Sequence, residues 1–238
     1  MAKALVFAGG TGVRMNTHAI PKQFLEVNGK AILIYTLEKF ENHKDIDSII
    51  VVCKENWINR FESMLKKSNI TKVKKIVPGG NTAHESIYNG LLAMKTDIKS
   101  DEIVLIHDGV RPFITEELIS LNIESVKKYG TAITVEPARE SIIRCIDGEN
   151  VNEVPPREQM YIAKAPQSFY FDDIIKLYDR AHDNSYITVD SAHLCEAYGF
   201  PIHIVRSTAN NIKITEPIDF YVFKALLKEE EHRQILGV

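Results

Sequence analysis

A glycine-rich stretch near the start of the chain places exposed backbone next to two cations. Ala4–Ala8 is an apolar run typical of a buried parallel strand, and glycines follow at positions 9, 10 and 12. Glycine lets backbone N–H groups approach an anion without interference from a side chain. Arg14 and Lys22 come next, so the sequence predicts a loop that binds a polyphosphate.

Glycine spacing alone leaves other interpretations open. No Lys-Ser or Lys-Thr pair completes a G-x-x-x-x-G-K-[S/T] loop, and Met15 occupies the third glycine position of G-x-G-x-x-G. A plain strand-to-loop turn with two solvated cations remains an alternative, as do a Rossmann-type oxidoreductase and a nucleotide-binding regulatory protein without turnover. The incomplete glycine pattern and the nearby cations argue against the oxidoreductase.

Two further clusters follow predicted strands in the same way. Gly79–Ser86 comes after the apolar run that ends at Val77, and Asp108–Arg111 comes at the end of another, Ile103–Asp108. In open α/β sheets, ligands bind at the carboxyl ends of the strands. We therefore expect the three clusters to meet at one edge of the sheet and form a site. A turn-forming role for Asp108, which precedes a glycine, is the simpler alternative.

The remaining pattern predicts the elements that position these clusters. Strands alternate with helices, which predicts right-handed crossovers and a mostly parallel sheet. Further strands are predicted at 48–53, 132–135 and 202–205. Helices are predicted at 32–40, 57–67, 83–94, from 115 onward, and at 172–181, 191–198 and 218–231.

Residues 138–166 break this alternation. They contain Pro155, Pro156 and Pro166, short alternating runs and several charges, but no helical pattern. We interpret them as an extended, hairpin-like arm that leaves the domain body. The arm either lies in solvent or pairs with a second subunit.

Length and composition predict one α/β domain over residues 1–238. The net charge is −3 and the isoelectric point is near 6.3, so nucleic acid and acidic membrane surfaces are not expected partners. The chain starts directly with a strand, which argues against a signal peptide, and no apolar run reaches membrane-spanning length. Cys53, Cys145 and Cys195 are widely spaced and predict reduced thiols in a cytoplasmic protein, without a metal cluster.

Four segments of the sequence carry a resemblance to a known family: Ala8–Met15, Pro21–Phe24, His107–Pro112 and Asn211–Thr215. Together they resemble the CTP-dependent cytidylyltransferases, the family containing 2-C-methyl-D-erythritol 4-phosphate and ribitol-5-phosphate cytidylyltransferases. The resemblance implies a Rossmann-like nucleotidyltransferase fold of the glycosyltransferase-A type with a protruding β-arm. It also implies CTP as a substrate, Mg²⁺ as a cofactor, and a homodimer held partly by the arm.

The resemblance also implies roles for individual residues. Lys22 and Lys213 would contact the α-phosphate of CTP, and Arg14 would help to hold the triphosphate. The implied nucleotide-binding residues are Ala8, Gly9, Gly10, Thr11, Gly12, Gly80, Asn81 and Ser86. The implied acceptor-binding residues are Asp108, Arg111, Ser141, Arg157 and Asp190, with Ser141 and Arg157 supplied by the arm of a second subunit. Asp108, a hard oxygen ligand, would also bind the metal.

Some positions depart from the family pattern. Ala83 stands where the family usually has an arginine. His84 could take over the contacts of that arginine. The simpler interpretation is that His84 is an exposed helix residue. Val189 replaces a threonine of the methylerythritol enzymes, whereas Val110–Phe113 and the residues after Arg157 favour the ribitol branch. The sequence thus predicts CMP transfer from CTP to a polyol phosphate, D-ribitol 5-phosphate first, for cell-wall, teichoic acid or capsule synthesis. Methylerythritol 4-phosphate, for isoprenoid precursors, or another polyol or sugar phosphate is the alternative.

Overall fold

The computed structural model describes residues 2–9 and 20–236, with side chains as far as residue 232. The strands in this part of the chain are β1 (Ala2–Ala8), β2 (Glu26–Val27), β3 (Lys30–Ala31), β4 (Ile46–Cys53), β5 (Val73–Pro78), β6 (Ile103–Asp108), β7 (Thr131–Pro137), β8 (Tyr161–Tyr170) and β9 (Ile204–Arg206). The α-helices are α1 (Ile32–Asn42), α2 (Ile58–Lys67), α3 (Ala83–Met94), α4 (Glu116–Tyr129), α5 (Phe171–Asp183), α6 (Ser191–Ala197) and α7 (Pro217–Leu236).

Seven of these strands form one sheet in the order β5-β4-β1-β6-β8-β7-β9. Strand β8 pairs antiparallel with both β6 and β7, and the other pairs in this sheet are parallel. The carboxyl ends of six strands therefore lie at one edge, together with the amino end of β8. The predicted α/β fold with a mostly parallel sheet is confirmed.

Both faces of the sheet are covered by helices. Side chains point alternately to opposite faces along each strand, and the central strands have apolar side chains on both faces that must be buried. On β1, Ala4 and Val6 belong to the apolar core beneath α1, α2 and α4. Leu5 belongs to the core on the other face, beneath α3, α5 and α6. A smaller cluster joins α7 to the β2–β3 hairpin and the start of α1. This double covering explains why the central strands read as continuous apolar runs.

Helix starts follow local chemistry that the sequence already contains. Thr82 precedes α3 and its hydroxyl accepts a hydrogen bond from the N–H of Glu85 at 3.1 Å. The Glu85 carboxylate in turn accepts from the N–H of Asn81 at 2.6 Å. The Thr82 hydroxyl satisfies one backbone donor that the helix leaves unpaired, and Glu85 satisfies the N–H of the residue before the cap. Together these bonds fix the chain at the edge where the site lies.

The structure differs from the sequence prediction between residues 138 and 170. Residues 138–160 are largely irregular, with a single bridge between Arg144 and Glu153, and they leave the sheet as predicted. Tyr161–Pro166, however, form the first part of β8 inside the sheet rather than the end of the arm. The prediction was wrong there because an antiparallel central strand interrupts the alternation of strands and helices. Strand β8 and the short β2–β3 hairpin were not predicted.

None of the helices in the described residues combines the length and apolar character needed to cross a bilayer.

Candidate active site

A cavity of about 760 Å³ opens at the carboxyl edge of the sheet. It lies where β1, β4, β5 and β6 end, as the clustering of glycines and charges in the sequence predicts. Its lining includes Phe7, Ala8, Gly9, Lys22, Gln23, Lys54, Glu55, Asn56, Gly79, Gly80, Asn81, Thr82, Ala83, Ser86, Asp108, Val110 and Lys213. Two of the three predicted catalytic cations, Lys22 and Lys213, thus border one cavity although the sequence separates them widely.

The position of Lys22 is set by the residues that follow it. Lys22–Phe24 forms a short 3₁₀ turn. The side-chain amide of Gln23, which is 1% exposed, donates to the carbonyl oxygen of Ala8 at 2.5 Å. The Phe24 ring stacks on Trp57 with centroids 4.6 Å apart. These contacts fasten the turn to the end of β1, so that the Lys22 side chain lines the cavity.

The part of the cavity between β1 and β5 consists mostly of backbone. A Cβ at Gly79 would lie 3.2 Å from the Cα of Gly9 and 3.1 Å from the hydroxyl oxygen of Ser86. Ser86 donates to the carbonyl oxygen of Thr82 at 2.8 Å and accepts from the N–H of Gly80 at 3.1 Å. Glycine at both loop positions therefore allows the two loops to approach each other closely.

Asp108 lies between two cations at the end of β6. Its carboxylate contacts Nε of Arg111 at 2.7 Å and Nζ of Lys213 at 2.6 Å. Burial opposes ionisation of this carboxyl. The charges and hydrogen bonds of Lys213 and Arg111 outweigh that effect and hold the pKa of Asp108 well below its usual range. The site therefore contains a permanent carboxylate that orients two cations.

These two cations differ in their exposure. The side chain of Arg111 is 9% exposed, and its Nη1 also donates to the carbonyl oxygen of Asn211 at 2.9 Å. The side chain of Lys213 is 38% exposed. Arg111 is thus fixed on several sides, whereas Lys213 presents its ammonium to the cavity. Of the two, Lys213 is better placed to stabilise charge on a bound phosphate.

The neighbouring residue, His107, is fully buried behind the carboxylate. Burial lowers the pKa of His107 to about 4, so its ring stays neutral at physiological pH. Its Nε2 lies 3.2 Å from the carbonyl oxygen of Arg111, and its ring packs edge-on against Phe40. His107 therefore supports the turn that carries Arg111 and does not add a charge to the site.

A second cavity of about 140 Å³ adjoins the first and shares several lining residues with it. The shared residues are Phe7, Ala83, Asp108 and Lys213. Its other walls include Arg111, residues 163–165 of β8, Val189 and Asp190. The Asp190 carboxylate caps α6 through the N–H of His193 at 2.9 Å and accepts from the Gln167 amide at 3.1 Å. Asp108 and Lys213 therefore stand at the junction of a large and a small compartment.

Several predicted residues lie elsewhere. Arg14, Gly10, Thr11 and Gly12 lie outside the described residues. Ser141 and Arg157 are exposed on the arm and line neither cavity of their own chain. Their prediction requires the arm of a second subunit, and it remains a prediction.

The structure corrects the simpler interpretation of His84. This residue is 6% exposed, and its Nδ1 lies 3.1 Å from the hydroxyl oxygen of Thr188. Its ring packs against Tyr178, with centroids 4.7 Å apart. Burial lowers the pKa of His84. His84 is therefore a buried residue that ties α3 to the loop before α6. It does not line either cavity and cannot stand in for an arginine there.

The residues that follow β4 also belong to the site, although they were not predicted. Lys54, Glu55 and Asn56 line the large cavity directly after Cys53. The rule used for the other strands applies here too, since β4 is parallel to β1 and ends at the same edge. Lys164, which borders the small cavity from β8, was also missed. Finding Lys164 required the antiparallel strand to be recognised first.

Among the described residues, no group of three or more histidine, cysteine, aspartate or glutamate side chains could hold a metal ion. Asp108 is the acidic side chain that both cavities share. Magnesium is commonly bound by one or two carboxylates together with substrate phosphates and water. A single buried carboxylate next to a cavity with lysines fits that mode of binding and does not fit a permanent protein-only metal centre.

Known proteins of one family are similar to this chain over nearly its whole length. The family described as "IspD: 2-C-methyl-D-erythritol 4-phosphate cytidylyltransferase" matches residues 2–229. The chain is 47% identical to a "Ribitol-5-phosphate cytidylyltransferase" of Vibrio parahaemolyticus serotype O3:K6, with 100% of each chain covered. It is 36% identical to a "2-C-methyl-D-erythritol 4-phosphate cytidylyltransferase" of Clostridium botulinum, with 94% of this chain and 96% of that protein covered.

A solved structure shows the same architecture. The crystal structure of 4-diphosphocytidyl-2C-methyl-D-erythritol synthase from Anaerococcus prevotii is 28% identical and superposes with a TM-score of 0.81, covering 95% of this chain and 96% of that one. The family match spans nearly the whole sequence, including the segments that form both cavities. The chain therefore belongs to the IspD family of cytidylyltransferases and is a nucleotidyltransferase.

Proposed function

We propose that this enzyme transfers CMP from CTP to D-ribitol 5-phosphate, giving CDP-ribitol and pyrophosphate. The observation that carries the proposal is the 47% identity, over the full length of both chains, to the Vibrio relative named as a ribitol-5-phosphate cytidylyltransferase. The relative named for methylerythritol 4-phosphate is 36% identical. Val189, which is exposed beside the small cavity, supports the same choice. By resemblance, the methylerythritol enzymes have a threonine at this position, and valine lacks the hydroxyl that the threonine would offer to the acceptor.

The reaction requires positioning and charge stabilisation more than covalent chemistry by the protein. A phosphate oxygen of the acceptor attacks the α-phosphorus of CTP in line, and pyrophosphate leaves with the bonding electrons. Negative charge accumulates on the α-phosphate and on the leaving group. Lys22 and Lys213 line the same cavity and supply two ammonium groups for that charge. Asp108 keeps Lys213 oriented through a contact of 2.6 Å.

The two cavities suggest how the substrates divide the site. We assign CTP to the large cavity, where the backbone of Gly9 and Gly80 and the hydroxyl of Ser86 can contact the base and ribose. We assign the polyol chain to the small cavity, which Arg111 and Asp190 border. The reacting phosphates then meet between them, next to Asp108 and Lys213. This arrangement brings the nucleophile and the α-phosphorus together, which lowers the entropic part of the barrier.

Magnesium is the cofactor that fits this assignment. Asp108 would hold it together with oxygens of the triphosphate, and the bound ion would neutralise phosphate charge and help to orient the leaving group. The protein's own contribution is to keep that carboxylate ionised. It does so by placing Arg111 and Lys213 against the two carboxylate oxygens.

The same proposal covers assembly and cellular role. Two subunits would exchange their arms (residues 138–160), so that Ser141 and Arg157 reach the acceptor phosphate of the opposite subunit. The arm exposes apolar side chains that such pairing would cover: Ile143, Ile146, Val151 and Val154 are 56–72% exposed. The enzyme would work in the cytoplasm and supply CDP-ribitol for cell-wall, teichoic acid or capsule polymers.

The direct test is pyrophosphate release with CTP and MgCl₂ against a panel of acceptors. The panel contains D-ribitol 5-phosphate, 2-C-methyl-D-erythritol 4-phosphate and D-arabinitol 5-phosphate, with EDTA added in parallel reactions. We expect the highest kcat/KM with D-ribitol 5-phosphate and loss of turnover in EDTA. A preference for methylerythritol 4-phosphate would refute the acceptor assignment and leave the reaction type intact. Full activity in EDTA would refute the magnesium assignment.

A further inference from the structure

The segment that carries Lys213 has neither helix nor strand, so individual hydrogen bonds decide where the Lys213 ammonium lies. Residues 207–216 connect β9 to α7. The N–H of Ile214 donates to the carbonyl oxygen of Val110 at 2.9 Å. The side-chain amide of Asn211 donates to the carbonyl oxygen of Ala165 at 2.8 Å. The segment is thus fastened to the β6 turn on one side and to β8 on the other.

The backbone carbonyl of Asn211 binds two cations at once. Arg111 Nη1 donates to this oxygen at 2.9 Å, and Lys164 Nζ donates to it at 3.3 Å. Asn211 is 1% exposed, so water is largely excluded from this oxygen. Arg111 also binds the carboxylate that holds Lys213. The Asn211 carbonyl therefore connects Lys164 to the charged group at the junction of the two cavities.

Lys164 is itself held by Glu136 at the end of β7. The two side chains form an ion pair and are 10% and 13% exposed. Glu136 also contacts Arg139, at the base of the arm, at 3.0 Å. Taking such a pair out of water costs free energy that the attraction between the charges only partly recovers, and apolar side chains often stabilise a fold equally well. A nearly buried pair beside a site is therefore better explained by what it positions.

We propose that Lys164 and Glu136 are positioning residues for Lys213. Lys164 acts through the carbonyl oxygen of Asn211, and Glu136 keeps the Lys164 ammonium pointed at that oxygen. Together they hold the 211–213 backbone against β8 so that Lys213 reaches the α-phosphate. The inference rests on the proposed function, in which Lys213 stabilises charge on that phosphate.

Kinetic measurements on four variants test the proposal. In Lys164→Met we expect kcat to fall about ten- to hundredfold, because a small displacement of a catalytic group costs rates of this order. The KM for CTP should stay within about threefold, since Lys164 does not line the large cavity. Lys164→Arg should recover most of the rate. Lys176→Met, which breaks an exposed ion pair on α5, is the matched control and should match the wild type.

The double variant Lys164→Met/Glu136→Gln separates positioning from simple destabilisation. If the single variant is slow only because Glu136 has lost its partner, neutralising Glu136 should restore both thermal stability and kcat. If the Asn211 carbonyl needs its donor, the double variant should regain stability while kcat stays low. Restored kcat in the double variant would overturn the proposal.

Hydrogen exchange provides a readout that does not depend on turnover. We expect amides of residues 211–214 to exchange at least about tenfold faster in Lys164→Met than in the wild type, with α4 unchanged. Unchanged exchange of these amides in Lys164→Met would overturn the positioning role. This conclusion holds even if no acceptor in the panel supports turnover. Failure of the wild type with all acceptors would instead refute the proposed function, and the exchange result would still decide the role of Lys164.

Discussion

Replacing either cation that contacts Asp108 should separate the stability of the fold from the rate of the reaction. The two variants are Arg111→Met and Lys213→Met, which remove one charge each and keep much of the side-chain length. Arg111 and Asp108 side chains are 9% and 7% exposed, whereas Lys213 is 38% exposed. The same carboxylate thus has one buried and one partly exposed partner.

The expected stability change in each variant follows from these exposures. Removing one partner of a buried ion pair typically costs about 3–5 kcal/mol. Arg111→Met should lower the free energy of unfolding by about 3 kcal/mol, the lower end of this range, because Lys213 still neutralises the carboxylate. For a chain of this size that corresponds to a fall in Tm of about 6–12 °C. Lys213→Met should lower the free energy of unfolding by at most about 1 kcal/mol, because Lys213 is partly exposed and Arg111 still neutralises the carboxylate.

Although Lys213→Met should cost little stability, it should have a large effect on the rate. Loss of Lys213 should lower kcat roughly a hundredfold or more, because an ammonium that stabilises transition-state charge is worth about 3 kcal/mol. The assay combines thermal or urea unfolding with pyrophosphate release from CTP at saturating acceptor, and the exposed Lys224→Met is the control. A Tm loss in Lys213→Met as large as in Arg111→Met would refute this reasoning, as would a kcat within fivefold of the wild type.

Three further outcomes are expected. Lys22→Ala should lower kcat about a hundredfold with little change in Tm, because it removes a cavity-lining cation from a turn that other side chains fasten. Arg157→Ala should raise KM for the acceptor phosphate far more than KM for CTP, measured by varying each substrate in turn. With iodoacetamide at pH 8, mass spectrometry should find exposed Cys145 alkylated while Cys53 and Cys195 react far more slowly. Burial raises the pKa of both of these thiols to about 12, which leaves about one molecule in ten thousand as thiolate.

Each of these outcomes has a result that contradicts it. Near-normal kcat in Lys22→Ala would remove Lys22 from the reacting end of the site. Equal effects of Arg157→Ala on both KM values would mean that the arm does not carry the acceptor site, and Arg144→Ala on the same arm is the matched control. Modification of Cys53 or Cys195 at the rate of Cys145, without unfolding, would contradict the burial of those thiols.

The sequence was sufficient to predict where a residue lies in the fold when its local pattern and the topology of parallel sheets agree. Gly9, the Thr82 cap and the Asp108 turn each follow a strand or open a helix, and all three lie at the predicted edge. Strand β8 was not predictable in this way, because it pairs with distant parts of the chain. Tyr161 at its start pairs with Pro137, 24 residues earlier, and its last four residues also pair with β6, more than sixty residues earlier. His84 was misjudged for a related reason. Its burial depends on Thr188, which the fold brings to it from a position 104 residues later in the chain.

The reversed direction of β8 also bears on how such an enzyme can change during evolution. Because β8 starts at the site edge, the whole excursion between β7 and β8 enters and leaves the sheet at that edge, next to the β8 residues 163–165 that border the small cavity. Its length and sequence can vary without altering β1, β4 or β5, which border the large cavity. Under the proposed division of the site, a lineage could therefore acquire a new acceptor through changes in this one insertion and keep the nucleotide-binding strands unchanged.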